Sequence, residues 1–250
     1  MKIKKTIIIF LLFILPVIIY IINIDKKIYL LSLGDALALG QNSFGIKGYG
    51  YSDYVNDYLE GKNILEFYSK GFAEKDYRTI DLIRDIEDNK KLKIDDKEIT
   101  IKNALTNADV IMLSIGINDL LYKLNIDNKG ILISEKEIIK YVDEIIIDLE
   151  KLLILLKRYC NEDIIIIGYY NPFWFQDKEY AEIVEPIFKY FNFEIKKLSD
   201  KNKLFFIDIY NNFYQNDEYL PNCYSIYPSN SGYKFIAKKI IKILEENILD

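Results

Sequence analysis

Three short segments concentrate the residues able to do chemistry, and each follows an apolar run of strand length. Residues 31–40 read LSLGDALALG, where Gly34 permits a tight turn and Asp35-Ala36 stand at the end of the run. Residues 114–120 read SIGINDL and bring Gly116, Asn118 and Asp119 to a second such exit. Residues 223–237 read CYSIYPSNSGYKFIA, where Tyr224, Tyr227 and Pro228 precede a turn and a last helix. Carboxylates and an amide of this kind bond backbone groups, move protons or donate to an oxyanion. Asp35 and Asp119 would hold Mg²⁺ or Ca²⁺ only with a third oxygen donor, so neither a metal nor another cofactor is expected.

What is missing narrows the chemistry further. The 250 residues contain no histidine. Ser-His-Asp and Cys-His nucleophile pairs, histidine-ligated metals and the commonest base near neutral pH are therefore excluded. The two cysteines, Cys160 and Cys223, cannot build a disulfide framework or a four-thiolate zinc site. They pair only if their Cα atoms approach within about 7 Å. No G-x-G-x-x-G and no G-K-[ST] is present, which excludes a nucleotide binder of the flavodoxin or P-loop kind. A net charge of −5 argues against a nucleic-acid partner. The chain is rich in Ile, Lys, Asn and Tyr and poor in Gly and Pro. An AT-rich genome would produce that bias and also depress histidine.

The elements that must carry these segments alternate. Strand-like runs cover Ile28–Leu33, Ile64–Tyr68, Val110–Ile115, Ile164–Tyr169 and Leu204–Asp208. Helical patterns cover Tyr51–Leu59, Thr79–Ile86, Ser134–Tyr159, Glu179–Leu198 and Ser229–Ile248, with Ser134 and Glu137 forming a capping box. Pro186 is expected to kink or split its helix. The alternation implies a three-layer α/β/α sandwich on a parallel five-stranded sheet, flavodoxin-like in outline, with ligands gathered at the strands' carboxyl ends.

The first 27 residues differ from the rest. Lys2, Lys4 and Lys5 precede an uncharged apolar run from Thr6 to Ile24. As a helix that run measures roughly 28 Å, close to the hydrocarbon thickness of a bilayer. No A-x-A cleavage site follows, so residues 1–27 read as an uncleaved signal anchor and juncture, and 28–250 as one domain. The lysines place the N-terminus in the cytoplasm. The expected location is a single-pass cell-membrane protein with an extracellular domain.

Together the three segments resemble the SGNH hydrolase family of GDSL esterases and lipases, over about Ile28 to Leu244. Gly34-Asp35-Ala36-Leu37 stands where that family has its GDS block. Gly116-x-Asn118-Asp119 stands for its G-x-N-D block. Tyr224-x-x-Tyr227-Pro228, then Gly232-Tyr233, stands for its D-x-x-H-P block. Gly168–Phe173 and Gly45–Tyr54 also resemble loops of bacterial members. The resemblance implies an SGNH-type fold and ancestral ester hydrolysis on an acylated glycan or lipid. It assigns Ala36 to the nucleophile position, Tyr227 to the base and Tyr224 to the acid, with Asn118 and Gly116 in the oxyanion block. In the poorly matched second block Asp76 aligns with the oxyanion glycine, and Gly71 is the less favoured candidate.

The departures point away from catalysis. A methyl group cannot attack, and a phenol with a pKa near 10 is a poor base. A catalytically inactive binding or scaffold protein is the expectation, with an acylated glycan, a lipid or a protein as ligand. Asp35, Asp119, Asp76, Trp174 and Phe175 are the candidate ligand contacts. Asp35 has a second reading as a helix cap, Asn118 and Asp119 as turn holders, and Trp174 as core. The alternative is an active esterase in which Ser32, Ser43, Ser225 or Ser229 attacks and Asp35 or Asp119 serves as base.

Overall fold

The computed structural model describes residues 27–94, 96–124, 134–175, 178–221 and 225–249. The strands are β1 (Ile28–Gly34), β2 (Leu65–Ser69), β3 (Lys91–Ile94), β4 (Lys97–Thr100), β5 (Val110–Ser114), β6 (Asp163–Ile167) and β7 (Phe205–Ile207). The helices are α1 (Ala36–Leu39), α2 (Tyr51–Gly61), α3 (Thr79–Glu87), α4 (Ile101–Asn107), α5 (Ile117–Leu124), α6 (Glu135–Tyr159), α7 (Lys178–Lys201), α8 (Tyr210–Phe213) and α9 (Asn230–Asn247). A 3-10 turn covers Pro172–Phe175.

Five strands form one parallel sheet in the order β2-β1-β5-β6-β7. Helix α9 packs beside α2, while α6 packs against α3, α4, α5 and α7. Both faces are thus covered, which is why most of β5 and of β6 consists of buried apolar residues. Each such side chain withdrawn from water contributes about 2 kcal/mol. Chain order reverses between β1 and β5, and in doubly wound sheets the crevice at that switch point is where ligands bind.

The five expected strands lie within a residue or two of their expected positions. Ser134 caps α6 and Glu137 reaches back to the cap, completing the capping box. Pro186 does not split its helix: α7 runs unbroken from Lys178 to Lys201. Its buried apolar residues on either side of the proline, Val184, Ile187 and Phe188, hold the helix to the core through the missing N–H. The antiparallel pair β3–β4 was not expected, because its strands are four residues each, half charged, and lie outside the main sheet. Asn118 and Asp119 sit in the first turn of α5 and not in a loop. The expected anchor, Thr6–Ile24, lies outside the described residues; among those described, no helix is long and apolar enough to cross a membrane.

At Gly34 the backbones of β1 and β5 approach closely. It adopts φ +127°, and a Cβ there would meet the Ser114 carbonyl oxygen at 1.8 Å. Gly34→Ala is therefore expected to lose at least about 3 kcal/mol of stability, read as a lowered urea midpoint with Trp174 fluorescence. An unchanged midpoint would contradict the close β1–β5 approach.

Candidate functional site

The cleft is built on two neighbouring strand ends. Asp35 follows β1, caps α1, and continues the ladder by donating its backbone N–H to the Ser114 carbonyl at 2.9 Å. Its Oδ1 accepts the Leu37 N–H at 3.0 Å and the Ser114 hydroxyl at 2.9 Å, and its Oδ2 accepts the Tyr169 phenol. The side chain is fully buried. Burial raises its pKa to about 6, and the bonds from Tyr169, Ser114 and Leu37 hold it from rising further. Tyr169 is buried alongside, and that burial together with the Asp35 carboxylate keeps its phenol protonated. The Tyr51 hydroxyl lies near Ser32 and Ser114 without a well-formed bond to either.

Above this polar floor lies a shallow cleft with about 440 Å³ of free space, the solvent at its mouth included. Ala36 and Asp35 form its base; Leu37, Ile117, Leu121, Pro172 and Ile226 form apolar walls; Asn118, Tyr169, Tyr170 and Tyr227 complete it. Tyr170 donates to the Ile226 carbonyl at 2.7 Å and so holds the 225–228 segment against the rim. Burial, then the negative charges of Asp76 and Asp35, pushes the Tyr227 pKa above its ordinary value. Tyr227 is therefore a neutral phenol at physiological pH, a donor and not a base.

Of the residues singled out in the sequence, Asp35, Ala36, Asn118 and Tyr227 share this cleft. Asn118 spends both amide hydrogens on the loop before α3, donating to the carbonyls of Lys75 at 3.1 Å and Tyr77 at 2.9 Å. Asp119 faces the same segment, where its Oδ2 accepts the Thr79 N–H at 2.8 Å and hydroxyl at 2.9 Å. Asp119 thus tethers the start of α3; its burial raises its pKa, and the Thr79 bonds offset part of that rise. Gly116 takes φ +116° between β5 and α5. Asp76 is exposed in the 70–78 loop, and Gly71 begins the same loop. Trp174 is buried edge-on to Tyr214, with ring centroids 4.5 Å apart, and is not a cleft-lining residue. Phe175 closes the 3-10 turn. Tyr224 and Cys223 lie outside the described residues; Cys160 is a free, buried thiol.

The serines considered as alternative nucleophiles are placed by other bonds. Ser32 donates to the Ala38 carbonyl at 3.3 Å, Ser225 accepts the Tyr227 N–H at 3.2 Å, and Ser229 caps α9. Ser43 is buried in the loop after α1. The serine bonded to Asp35 is Ser114, which the sequence pattern does not single out. Its position as the last residue of β5 was the available signal, as was the Tyr169-Tyr170 pair just after β6. Among the described residues, no group of three or more Cys, Asp or Glu side chains is placed to hold a metal.

A parallel sheet with its switch point between β1 and β5, and a cleft on the loops that follow them, makes a doubly wound α/β fold like that of solved lipases and esterases. Solved structures bear this out. The lipase Lip_vut3 from a goat rumen metagenome superimposes with a TM-score of 0.68 at 22% identity, covering 88% of this chain and 99% of that one. A catalytic mutant of Axe2, an acetylxylan esterase from Geobacillus stearothermophilus, superimposes at 0.60 and 19% identity, covering 88% and 94%. Phospholipase A1 from Streptomyces albidoflavus does so at 0.59 and 13%, covering 85% and 98%. Catalytic mutants of Axe2 replace a serine, a histidine and an aspartate, the last two with two residues between them. Neither a family model nor a curated protein sequence matches the chain. At these identities the likeness establishes the fold.

Proposed function

We propose that this chain is a non-catalytic, membrane-anchored relative of the SGNH hydrolases whose cleft binds the acyl portion of an acylated glycan or lipid. One observation carries the reading: Ala36 and Tyr227, which the sequence likeness sets at the nucleophile and base positions, line one cleft and offer it a methyl group and a phenol. Acyl transfer by the triad route needs a nucleophile and a base to take its proton. Loss of either costs about a millionfold in turnover. Tyr224 and Tyr227 are separated by two residues, as are the aspartate and histidine of the Axe2 mutants, which supports their being the former acid and base positions. The two donors of Asn118 are engaged by backbone carbonyls, leaving neither free for an oxyanion. What the cleft keeps is shape and apolar wall, which suits binding an acyl group.

The test is turnover of p-nitrophenyl acetate and butyrate by the full chain in detergent. The expected rate equals that of a heat-denatured control. Turnover that tracks the folded protein and survives repurification would overturn the reading.

The Ser114–Asp35 hydrogen bond favours a second reading, a relocated hydroxyl–carboxylate pair. Ser114 is fully buried and does not line the cleft, so an ester could reach it only if the surrounding residues moved. A fluorophosphonate probe decides: labelling of wild type that Ser114→Ala abolishes would establish that pair, and no labelling is expected.

A further inference from the structure

We infer that the cleft cannot open onto the bilayer that anchors the chain, and that its ligand is an acylated glycan beyond the membrane rather than a lipid of that membrane. The inference rests on the proposed anchor and follows from the direction of β1. The chain enters the domain at Ile28, the amino end of β1, and the cleft lies at its carboxyl end, on Asp35 and Ala36. All four other strands of the sheet run parallel to β1, so the cleft loops share one end and the chain entry lies at the other. Seven residues of strand separate the two ends by about 20 Å.

Only Asp25, Lys26 and Lys27 stand between the apolar run, which ends at Ile24, and Ile28. Fully extended, that connection reaches about 14 Å, and crossing the headgroup region uses roughly 5–7 Å of it. To press the cleft onto the bilayer, Ile28 would have to stand at least about 20 Å above the headgroups, farther than the connection reaches. The amino ends of the strands therefore stay near the membrane. The cleft opens sideways or outward. A lipid acyl chain would have to leave its bilayer to arrive there, whereas an acyl group on a glycan strand reaches it through water.

The full chain in phosphatidylcholine–phosphatidylglycerol vesicles tests this, in a Cys160→Ala, Cys223→Ser background. Single probe sites are introduced as Glu162→Cys, at the amino end beside β6, and Asp76→Cys, in the exposed loop before α3 whose charge acts on Tyr227. Energy transfer to a headgroup-linked acceptor is expected to be at least about twofold stronger from position 162 than from position 76, given the strand-length separation. An acetylated oligosaccharide is expected to shift the emission of an environment-sensitive dye at position 76, and added vesicles are not. Recovery of the chain in the supernatant after alkaline carbonate extraction would overturn the anchor and this inference together. Retention in the membrane with equal or reversed transfer would overturn the orientation alone. A response to vesicles, or none to the oligosaccharide, would overturn the glycan assignment.

Discussion

The triple variant Ala36→Ser, Tyr227→His, Tyr224→Asp is expected to hydrolyse p-nitrophenyl acetate, while each single change leaves the rate at background. The logic is that of a triad: its members act as a unit, and their effects are strongly non-additive. A hydroxyl at position 36 without a base stays protonated and unreactive; an imidazole at 227 without a nucleophile has nothing to activate. Positions 36 and 227 line one cleft, so restoring both puts the two groups in the same cleft. The gain is expected to be about a thousandfold over wild type, below the millionfold of a complete triad. A missing oxyanion donor removes a factor of about 10²–10³, and Asn118 remains tied to Lys75 and Tyr77. The measurement is initial rate against substrate concentration for wild type, the three single variants, Ala36→Ser with Tyr227→His, and the triple. A single Ala36→Ser variant as active as the triple would show that another group already serves as base, and would sink the assignment of Tyr227 to that position.

The sequence made the fold legible where burial imposes a pattern, and left the site half legible where bonds depend on the third dimension. Runs such as Ile164–Ile167 announce strands covered on both faces, and five of them interleaved with amphipathic helices leave few topologies. The hairpin β3–β4 escaped because its alternating charged residues make no continuous apolar run. At the site, Asp35, Ala36 and Asn118 converge from their positions after strands, and Tyr227 joins them from the segment before α9. The roles of Asn118 and Asp119 could not be read, because both turn to a loop some 40 residues earlier in the chain. Ser114 and Tyr169 were hidden for the same reason. A serine ending a strand and one tyrosine among 21 carry no mark until the fold brings their hydroxyls to one carboxylate. Trp174 looked like a cleft residue by its place after β6, but one turn of 3-10 helix swings it into packing with Tyr214.

That carboxylate sets the second large effect. Asp35→Asn is expected to gain stability relative to wild type as pH rises from about 4 to 7. Folding raises the Asp35 pKa from 3.8 to about 6, so between those values the folded state holds a proton the unfolded state has released. Stability then falls as pH rises through this window, the reverse of an ion-paired carboxylate, and the penalty is complete above the folded value. A shift of this size corresponds to about 3 kcal/mol at neutral pH. Asparagine keeps an acceptor for the Leu37 N–H and the Ser114 hydroxyl, and its amide can donate to the Tyr169 oxygen, so the geometry survives without the charge. Urea denaturation of both proteins at several pH values, followed by Trp174 fluorescence, gives the comparison; groups titrating alike in both cancel in the difference. Asp35→Ala separates charge from contact. It leaves the Leu37 N–H, the Ser114 hydroxyl and the Tyr169 phenol without their acceptor, and is expected to cost about 2–4 kcal/mol even at pH 4. A wild-type-minus-Asn difference that stays flat across the window would mean that Asp35 titrates like an exposed aspartate. The buried network under Ala36 would then not be the dry floor on which the cleft depends.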